Sequence, residues 1–376
     1  MEEVAAERSE RPFVRPTRAE IDLERIVQNV REIAGMVGPR VGIYAVIKAD
    51  AYGHGALPVA RALAARGGVA ALAVSLVEEG LELRAAGVPG PILVMGAAWD
   101  GAHREALAAD LTPVVSDVAD LEPFARAAAA RPGRVGVHLK IDTGMSRLGV
   151  RPEKLLDFLE TLDRWPAVEI VGLMTHLSSA DAPPGEEQAT LDQLAAFERA
   201  RAVLWSRGIE PRVIHAANSA ATWRFEAARY QAVRPGLAIY QKAMRLVSAV
   251  AQLRDVEPGD PASYGRLWRA PGRARVATLP VGYADGYPRR LTGRGEVLVG
   301  GRRCPVVGAV CMDMTLVDVT ALEGDVRVGD EAVLLGGQGG EFIHAAELAE
   351  RAGLIEYEIT CGISRRVPRV YLGEAP

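Results

Sequence analysis

The sequence predicts a two-domain α/β protein, in which a barrel of parallel strands and helices is followed by a mostly antiparallel β domain. Three observations predict this architecture. The chain has 376 residues, which is enough for two or three domains of roughly 150 residues each. Short apolar runs alternate with amphipathic helical stretches up to about residue 243. From about residue 244 the runs become shorter, alternate apolar with polar residues and are separated by turns.

The first part of the chain contains eight apolar runs that we predict to be strands. Continuous apolar strands that alternate with helices are typical of a parallel sheet covered by helices. Eight such units within about 230 residues fit a (β/α)8 barrel of the TIM type. An open doubly wound sheet is the alternative, although no GxGxxG motif follows the first strand. The predicted strands are 43–47, 71–75, 91–95, 112–115, 135–141, 170–174, 212–216 and 232–234, and the predicted helices include 58–65, 77–86, 117–130 and 188–206.

The second part of the chain is predicted to be a β domain. The stretches RARVATLPVGYADGY and GEVLVGGRRCPVVGAVCMDMTLVDVT have the short alternating pattern of antiparallel strands. One helix is expected at 344–352. The glycine-rich segment 335–340 is interpreted as a loop between strands, since it lacks the Lys and Ser/Thr of a phosphate-binding loop. We expect a disordered extension at residues 1–14, the barrel at 15–243 and the β domain at 244–376.

Composition excludes several classes of protein. The net charge of −4 and the pI near 6.0 provide no basic field for nucleic acid or a membrane surface. No apolar run approaches the roughly 18 residues of a membrane span. The acidic N-terminus MEEVAAERSERPF lacks the apolar core of a secretory signal, and the three cysteines form no CxxC pair. We therefore expect a cytoplasmic enzyme with reduced thiols and no nucleic-acid or membrane partner.

Polar side chains follow five of the eight predicted strands. Chemistry in a (β/α)8 barrel takes place at the C-terminal ends of its strands, which all lie at one rim. We therefore expect the functional site at this rim. The residues concerned are, in chain order, Lys48, Asp50, Tyr52, Lys140, Asp142, Arg147, His176, Asp181, Asn218, Ser219, Arg234 and Gly236.

Lys48 is the most informative of these residues. The chain has only four lysines, and this one ends the apolar run IYAVI. Burial disfavours the ammonium form and lowers the pKa of a lysine, which makes its amine a nucleophile and a base. A Schiff base with pyridoxal phosphate requires a lysine of this kind. A rim lysine that extends into solvent is the structural alternative.

The segments around these residues resemble those of alanine racemases, which are fold-type III pyridoxal-phosphate enzymes. AVIKADAYGHG at 45–55 resembles the segment that attaches the cofactor, and the resemblance extends from about residue 15 to residue 372. It includes, in order, HLKIDTGMSRLG, THLSSAD, HAANSAA, RPGLAIY, SYG, VGYADGY, CMDM and RVPR. The resemblance is specific because these motifs are spread, in order, over both predicted domains.

The resemblance implies that Lys48 carries pyridoxal phosphate covalently. Tyr52, Ser219 and the backbone amides of Gly236 and Leu237 match the residues that hold the phosphate. For Ser219, a helix N-cap is the alternative or an additional role.

Two further residues match positions around the cofactor. His176 matches a residue beside it, and Arg234 matches the partner of the pyridine nitrogen. A guanidinium group only donates hydrogen bonds, so it would leave that nitrogen unprotonated. A weaker electron sink favours return of the proton to Cα over transamination.

The resemblance also implies two bases, one on each face of the substrate Cα. Lys48 matches one base and Tyr264 the other. His176 and Arg147 match the cationic neighbours that would lower the pKa of the tyrosine. Arg147 also matches the residue that binds the substrate carboxylate.

The remaining implied features concern the β domain and one buried lysine. Met312 matches a backbone contact to the substrate carboxylate, whereas Tyr283 and Asp313 match residues at the substrate entrance. Lys140 matches a lysine that is carbamylated in many family members; a buried lysine paired with Asp142 is the alternative. The resemblance implies a homodimer in which the β domain of one subunit completes the active site of its partner.

The expected function is interconversion of L-alanine and D-alanine, which supplies D-alanine for peptidoglycan. A racemase of broader specificity, for serine or basic amino acids, is an alternative, and Arg365 stands where several family members have a tyrosine. A non-catalytic pyridoxal-phosphate carrier would not need SYG or CMDM. A basic amino-acid decarboxylase should not place Arg234 against the pyridine nitrogen. No catalytic metal is expected, because the histidines and cysteines lack zinc-binding spacings.

Overall fold

The structure, a computed structural model, describes residues 14–99, 101–129, 133–322 and 325–373. These residues form two compact units. Residues 24–241 make up the barrel unit, and residues 14–23 together with 242–373 make up the β unit. The extension expected at residues 1–14 lies, apart from Val14, outside the described residues.

The first strand, β1 (Arg18–Asp22), belongs to the β unit. It pairs in antiparallel fashion with Met244–Ala249 and in parallel with Arg369–Leu372. The apolar pattern of the sequence predicts that residues 15–23 belong to the barrel. The structure differs because β1 finds its partners more than two hundred residues away, and no local pattern in the sequence records such a pairing.

Eight parallel strands of the barrel unit close into a barrel, which confirms the predicted fold class. The barrel closes where the first of these strands pairs with the last, through Gly42 with Ala232 and Ile43 with Val233. The side chains of the eight strands are mostly buried and apolar, as expected for strands covered on both faces. The strands are β2 (Gly42–Val46), β3 (Ala71–Val74), β4 (Ile92–Val94), β5 (Thr112–Val115), β6 (Val135–Lys140), β7 (Val168–Met174), β8 (Val213–His215) and β9 (Ala232–Val233).

Helices connect these strands, and all four predicted helical stretches are confirmed within a few residues at their ends. The first helix shows why they form: Ile26, Val27, Val30 and Ile33 recur at helical spacing and are buried. No helix in the described part of the chain is long and apolar enough to cross a membrane. The helices are α1 (Leu23–Val37), α2 (Ala56–Ala62), α3 (Val77–Ala85), α4 (Ala102–Ala108), α5 (Leu121–Ala128), α6 (Leu155–Leu162), α7 (Gln188–Ser206) and α8 (Ser219–Arg224).

The β unit is mostly antiparallel, as predicted. Its further strands are β10 (Met244–Ala249), β11 (Gln252–Val256), β12 (Pro261–Ala262), β13 (Trp268–Arg269), β14 (Ala274–Leu279), β15 (Glu296–Val299), β16 (Arg302–Pro305), β17 (Thr315–Asp318), β18 (Glu331–Gln338), β19 (Glu341–Ile343) and β20 (Arg369–Leu372); its helices are α9 (Ala345–Ala352) and α10 (Glu356–Cys361). The largest sheet contains β1 and six later strands, in the order β16, β15, β18, β10, β1, β20, with β19 paired to β18. A second sheet consists of β11, β14 and β17, and β12 pairs with β13.

The glycine-rich segment 335–340 is for the most part a strand, whereas the sequence had suggested a loop. Residues 335–338 complete β18, with Leu246 paired to Leu335 and Gly336 paired to Ile343. A Cβ on Gly336 would lie 2.5 Å from Cγ of Arg245, and the φ of this glycine is 103°. Glycine is therefore required here by close packing of a strand, and only the turn at 339–340 behaves as predicted.

An ion pair between a partly exposed arginine and a buried aspartate connects distant segments of the β unit. The guanidinium of Arg15 donates to both carboxylate oxygens of Asp285, at 2.9 Å and 2.7 Å, and Asp285 is fully buried. Asp285 also accepts from the Gly282 N–H at 3.0 Å, and its carbonyl accepts from the Ser364 N–H at 3.0 Å. The segment that precedes β1 thereby holds the loop around residue 283 in place.

We expect Arg15→Ala to lower the free energy of unfolding by about 2 kcal/mol, because it removes the bidentate partner of a buried carboxylate, which keeps the Gly282 N–H at 3.0 Å and the guanidinium of Arg366 at 3.4 Å. Urea unfolding of the full chain measures this change. The matched control is Arg126→Ala, which removes an exposed i,i+4 pair with Glu122 and should change stability by less than about 0.5 kcal/mol. Equal losses in the two variants would contradict a structural role for the Arg15–Asp285 pair.

Candidate active site

Lys48 comes two residues after β2, at the rim where all the barrel strands end. The four residues that follow it, 49–52, have φ values between 52° and 55° and form a left-handed turn. For residues other than glycine this conformation costs about 1–2 kcal/mol each. Contacts with other parts of the barrel must therefore hold the turn.

Several hydrogen bonds hold this left-handed turn. The Ala49 N–H donates to Oε1 of Glu79 at 2.6 Å, and the Ala51 N–H donates to the carbonyl of Ile47 at 2.9 Å. Oδ1 of Asp50 accepts from the N–H of residue 56 at 2.7 Å. The turn is thus fixed at its first, second and third residues, and its fourth residue, Tyr52, is buried.

Tyr52 ends beside the loop that follows β9. A Cβ on Gly236 would lie 2.3 Å from the phenol oxygen of Tyr52, so only glycine fits there. Oγ of Ser219 accepts from the N–H groups of Gly236 and Ala238, at 2.9 Å and 3.2 Å. Leu237 begins the short 3-10 turn Leu237–Tyr240. We call Tyr52, Ser219, Gly236 and Leu237 the rim cradle; its hydroxyls and backbone amides suit a phosphate group.

The residue that caps helix α8 is Asn218 and not Ser219. Oδ1 of Asn218 accepts from the Ala221 N–H at 3.0 Å, and its amide donates to the carbonyl of Leu177 at 3.1 Å. The hydroxyl of Ser219 instead accepts from the Gly236 N–H. The capping role considered for Ser219 therefore belongs to its neighbour.

Arg234 follows β9 and is buried. Its Nη1 contacts Nδ1 and the carbonyl of His215, at 2.7 Å and 2.8 Å. Its Nη2 donates to the carbonyls of Thr175 and Ala216, at 2.6 Å and 3.1 Å. These bonds occupy the two terminal nitrogens, so Nε–H is the donor that remains for a ligand. Burial lowers the pKa of Arg234 to about 10, which still leaves it charged at neutral pH.

Two buried histidines extend this network behind Arg234. Because a guanidinium only donates, Nδ1 of His215 must accept, and its Nε2 then carries the proton. Nε2 of His215 lies 2.8 Å from Nδ1 of His138, which therefore accepts in turn. Burial and the charge of Arg234 lower the pKa of His138 to about 4 and that of His215 well below its usual value. Both rings are neutral and each is held in one tautomer.

Positive charge is concentrated at the rim. Burial and then the charges of Arg234 and Arg147, together with those of two lysines, lower the pKa of His176 to about 3. Burial, Arg147 and Arg234 lower the pKa of Lys140 to about 8, partly opposed by Asp142. His176 is therefore neutral, so of the two cationic neighbours expected for the tyrosine base only Arg147 is charged. Such a cluster of cations favours an anionic ligand.

Lys140 ends β6, and the loop that follows it carries Arg147. Oδ1 of Asp142 accepts from the N–H groups of Gly144 and Ser146, at 3.1 Å and 3.0 Å. Asp142 thus shapes this loop, and its charge also acts on Lys140. Arg147 is exposed on the loop, where its guanidinium is accessible to a small ligand.

In the β unit, Tyr264 is next to a constrained serine. Ser263 has a φ of 63°, and its Oγ donates to the carbonyl of Ala309 at 2.7 Å and lies 3.3 Å from Sγ of Cys311. Tyr264 begins the turn Tyr264–Arg266, and 75% of its surface is exposed. The phenol is thus presented to solvent from a well-fixed backbone.

Tyr283, Met312 and Asp313 lie on loops that are hydrogen-bonded to each other. The N–H of Tyr283 donates to the carbonyl of Cys311, and that of the next residue donates to the carbonyl of Met312, both at 3.0 Å. Arg366 donates to Oδ1 of Asp313 at 2.7 Å. Since Cys311 also contacts the serine beside Tyr264, the structure brings the four candidates of the β unit onto one group of loops. Arg365 is exposed.

These residues fit pyridoxal phosphate. The barrel rim combines a lysine amine, a cradle whose glycine lets the Tyr52 phenol lie directly against the backbone at Gly236, and a buried arginine with one donor to spare. The surrounding cations suit a phosphate and a carboxylate. Every donor in this arrangement belongs to the barrel unit.

Sequence reasoning missed three residues of the rim. His138 lies two residues before Lys140 in the same strand, and the period of two places both side chains on one face, so it could have been found. His215 ends its strand within the quoted motif HAANSAA, but no role was assigned to it. Glu79 occupies the third position of a helix, where a capping glutamate is ordinary. Its bond to Ala49 has no local signature.

Comparisons with known proteins identify the family of the chain. The N-terminal domain of alanine racemase matches residues 21–243, and its C-terminal domain matches residues 243–371. An alanine racemase of Geobacter sulfurreducens is 43% identical over 95% of this chain and 97% of the relative. One of Sorangium cellulosum is 44% identical over 95% and 99%.

Solved structures of alanine racemases have the same fold as this chain. The alanine racemase of D-cycloserine-producing Streptomyces lavendulae has a TM-score of 0.91 and 35% identity, covering 97% of this chain and 99% of that one. The alanine racemase of Bartonella henselae, with covalently bound pyridoxal phosphate, has a TM-score of 0.84 and 27% identity over 95% and 99%. The chain therefore belongs to the alanine racemase family of isomerases.

Proposed function

We propose that this enzyme interconverts L-alanine and D-alanine with pyridoxal phosphate and two bases, Lys48 and Tyr264. The observation that supports the proposal most is the convergence of the Lys48 turn, the rim cradle and Arg234 where the barrel closes. Lys48 would attach the cofactor, the rim cradle would hold its phosphate, and Nε–H of Arg234 would donate to its pyridine nitrogen. His176 would pack beside it as a neutral ring.

When bound, pyridoxal phosphate would supply an electron-withdrawing ring that acidifies the Cα–H bond of the substrate. Arg234 would moderate this effect, because its pKa of about 10 keeps its protons on the guanidinium at neutral pH. The network of His215, His138 and backbone carbonyls fixes the guanidinium in one position. Moderate acidification favours return of the proton to Cα.

The two bases would act on opposite faces of the substrate Cα. The Lys48 amine, as a neutral base on one face of the Cα, would remove the proton from one enantiomer. The phenol O–H of Tyr264 would then give a proton to the other face, and the reverse reaction would exchange these roles. Arg147 would bind the substrate carboxylate together with the Met312 N–H, and its charge would also favour the phenolate form of the tyrosine.

We also propose that the active site is shared between two subunits of a homodimer. Lys48, Arg147 and Arg234 belong to the barrel unit, whereas Tyr264 and Met312 belong to the β unit. The large exposure of Tyr264 and Met312 supports a partner surface at these residues. Tyr283 and Asp313, on the same group of loops, would line the substrate entrance.

We propose that Lys140 is carbamylated. Its side chain is buried and its pKa is lowered to about 8, so a substantial fraction of the amine is neutral near physiological pH. The neutral nitrogen would attack CO2, form an N–C bond and release one proton, which leaves a carbamate anion. This anion would face Arg147, one of the cations that lower the lysine pKa, and would orient its guanidinium.

The proposed product, D-alanine, is expected to be used in the cytoplasm for peptidoglycan synthesis. A broader amino-acid specificity is the second candidate, and exposed Arg365 is the observation that favours it, since a cation there would attract substrates with a polar or acidic side chain.

Lys48→Ala should abolish covalent retention of pyridoxal phosphate and lower racemisation by at least about 10²–10⁴-fold, because it removes both the attachment point and a base. Absorbance after dialysis and the rate of D-alanine formation from L-alanine measure the two effects. Lys154→Ala, at an exposed lysine, is the control and should behave as wild type. A wild-type protein that retains no cofactor would refute the proposal. Faster turnover of serine or glutamate than of alanine would support the second candidate, whereas faster turnover of lysine or arginine would contradict the role given to Arg365.

Subunit exchange between Lys48→Ala and Tyr264→Phe should restore activity. Each variant alone is expected to be inactive, but in a heterodimer with shared sites one site carries both changes and the other carries none. Random exchange would then restore about a quarter of wild-type activity. Heterodimers are confirmed with two different affinity tags. If confirmed heterodimers remain inactive, the site is not shared.

Incubation with 13C-labelled bicarbonate should produce a carbamate carbon signal in 13C NMR that Lys140→Ala lacks and Lys154→Ala retains. At constant dissolved CO2 the signal should grow as pH rises towards 8, because the pKa of about 8 makes more of the Lys140 amine neutral. The same signal in Lys140→Ala would exclude this lysine as the modified residue.

A further inference from the structure

We propose that Glu79 is a positioning residue for Lys48. The inference rests on the proposed function, in which Lys48 attaches the cofactor. Glu79 lies on α3, which follows the next strand of the barrel, and it does not belong to the rim cradle or to the cation cluster. Its carboxylate holds the first backbone N–H after Lys48, at 2.6 Å.

The carboxylate of Glu79 connects two segments of the barrel. Oε2 accepts from the N–H groups of Ser75 and Leu76, at 2.7 Å and 3.0 Å, where β3 ends and α3 begins. Oε1 accepts from the N–H of Ala49, thirty residues earlier in the chain. A helix cap requires only the first set of bonds. The bond to Ala49 is additional and lies beside the reactive lysine.

A carboxylate is the group that this place requires. Three N–H donors converge on the two oxygens of Glu79. Glutamine would offer one acceptor oxygen, and its NH2 group would face at least one N–H donor without a hydrogen bond. Bonds from N–H groups to an ionised acceptor are also stronger than those to a neutral one.

The left-handed turn explains why the bond to Ala49 matters for Lys48. Residues 49–52 all have positive φ and none of them is glycine, so the turn depends on external contacts. If the Ala49 N–H loses its acceptor, the residue can relax to negative φ. That rotation would change the direction of the chain at Lys48 and the spacing between its amine and the Tyr52 phenol in the rim cradle.

Hydrogen exchange of the full chain as purified, without added cofactor, tests the effect on the backbone. Glu79→Gln should increase the exchange of the amides at 48–53 by about tenfold or more. Glu78→Gln is the matched control, because it changes an exposed glutamate in the same helical turn and should leave these amides unchanged. If the increase is confined to α3, Glu79 is only a helix cap and the proposal is overturned.

The rate at which pyridoxal phosphate attaches to Lys48 tests the effect on the lysine. Borohydride traps the attached cofactor, and the mass of the Lys48 peptide measures it. Glu79→Gln should attach the cofactor about tenfold more slowly than wild type, and Glu78→Gln at the wild-type rate. Adding Ala49→Gly to Glu79→Gln should recover most of this rate, because glycine adopts positive φ without a steric penalty. Absence of recovery would overturn the proposal.

Two outcomes separate this inference from the proposed function. If wild type does not attach the cofactor at Lys48, the proposed function fails, and the exchange experiment alone decides whether Glu79 holds the turn. If wild type attaches it and Glu79→Gln attaches it equally fast, only the present inference fails. Should Glu79→Gln not fold, Glu79→Asp keeps a carboxylate for the cap but is one methylene shorter, and it should show the same selective loss at 48–53.

Discussion

Closure of the barrel is the constraint on which the candidate site depends. The pairing of β2 with β9 brings together two segments that lie almost two hundred residues apart in the chain. The Val46 N–H donates to the carbonyl of Pro235 at 3.0 Å, and the Tyr240 hydroxyl donates to the carbonyl of Val46 at 2.8 Å. These bonds join the strand that ends at Lys48 to the loop that carries Gly236. The rim cradle forms only where the barrel closes in this way.

The positive charge at the rim depends on Arg234, which is buried behind it. Backbone carbonyls and the neutral ring of His215 satisfy the terminal nitrogens of Arg234 without neutralising its charge. Its field, added to burial, keeps His138 and His215 uncharged and lowers the pKa values of His176 and Lys140. Burial is the larger cause of these shifts, and the charge of Arg234 contributes to all four. The excess of positive charge suits an anionic ligand.

In each unit, residues with a strained backbone are held by contacts with residues distant in the sequence. The left-handed turn at 49–52 follows the candidate nucleophile in the barrel, and Ser263, with positive φ, precedes Tyr264 in the β unit. Each is held by a side chain or carbonyl that is distant in sequence: Glu79 for the first and Ala309 for the second. The ion pair between Arg15 and Asp285 supports the neighbouring loop of Tyr283 in the same manner. Strained residues with external restraints are common at functional sites.

The fold class, the eight barrel strands and the family could all be predicted from the sequence, because apolar periodicity and short motifs such as AVIKADAYGHG are local properties of the chain. The sequence also indicated most of the rim, since residues that follow parallel strands must meet at one edge. Only the tertiary structure assigned β1 to the β unit, made Asn218 the cap of α8, kept His176 neutral and joined Glu79 to Ala49. Each of these depends on a partner distant in sequence or on burial by several elements at once, and neither leaves a periodic pattern in the chain.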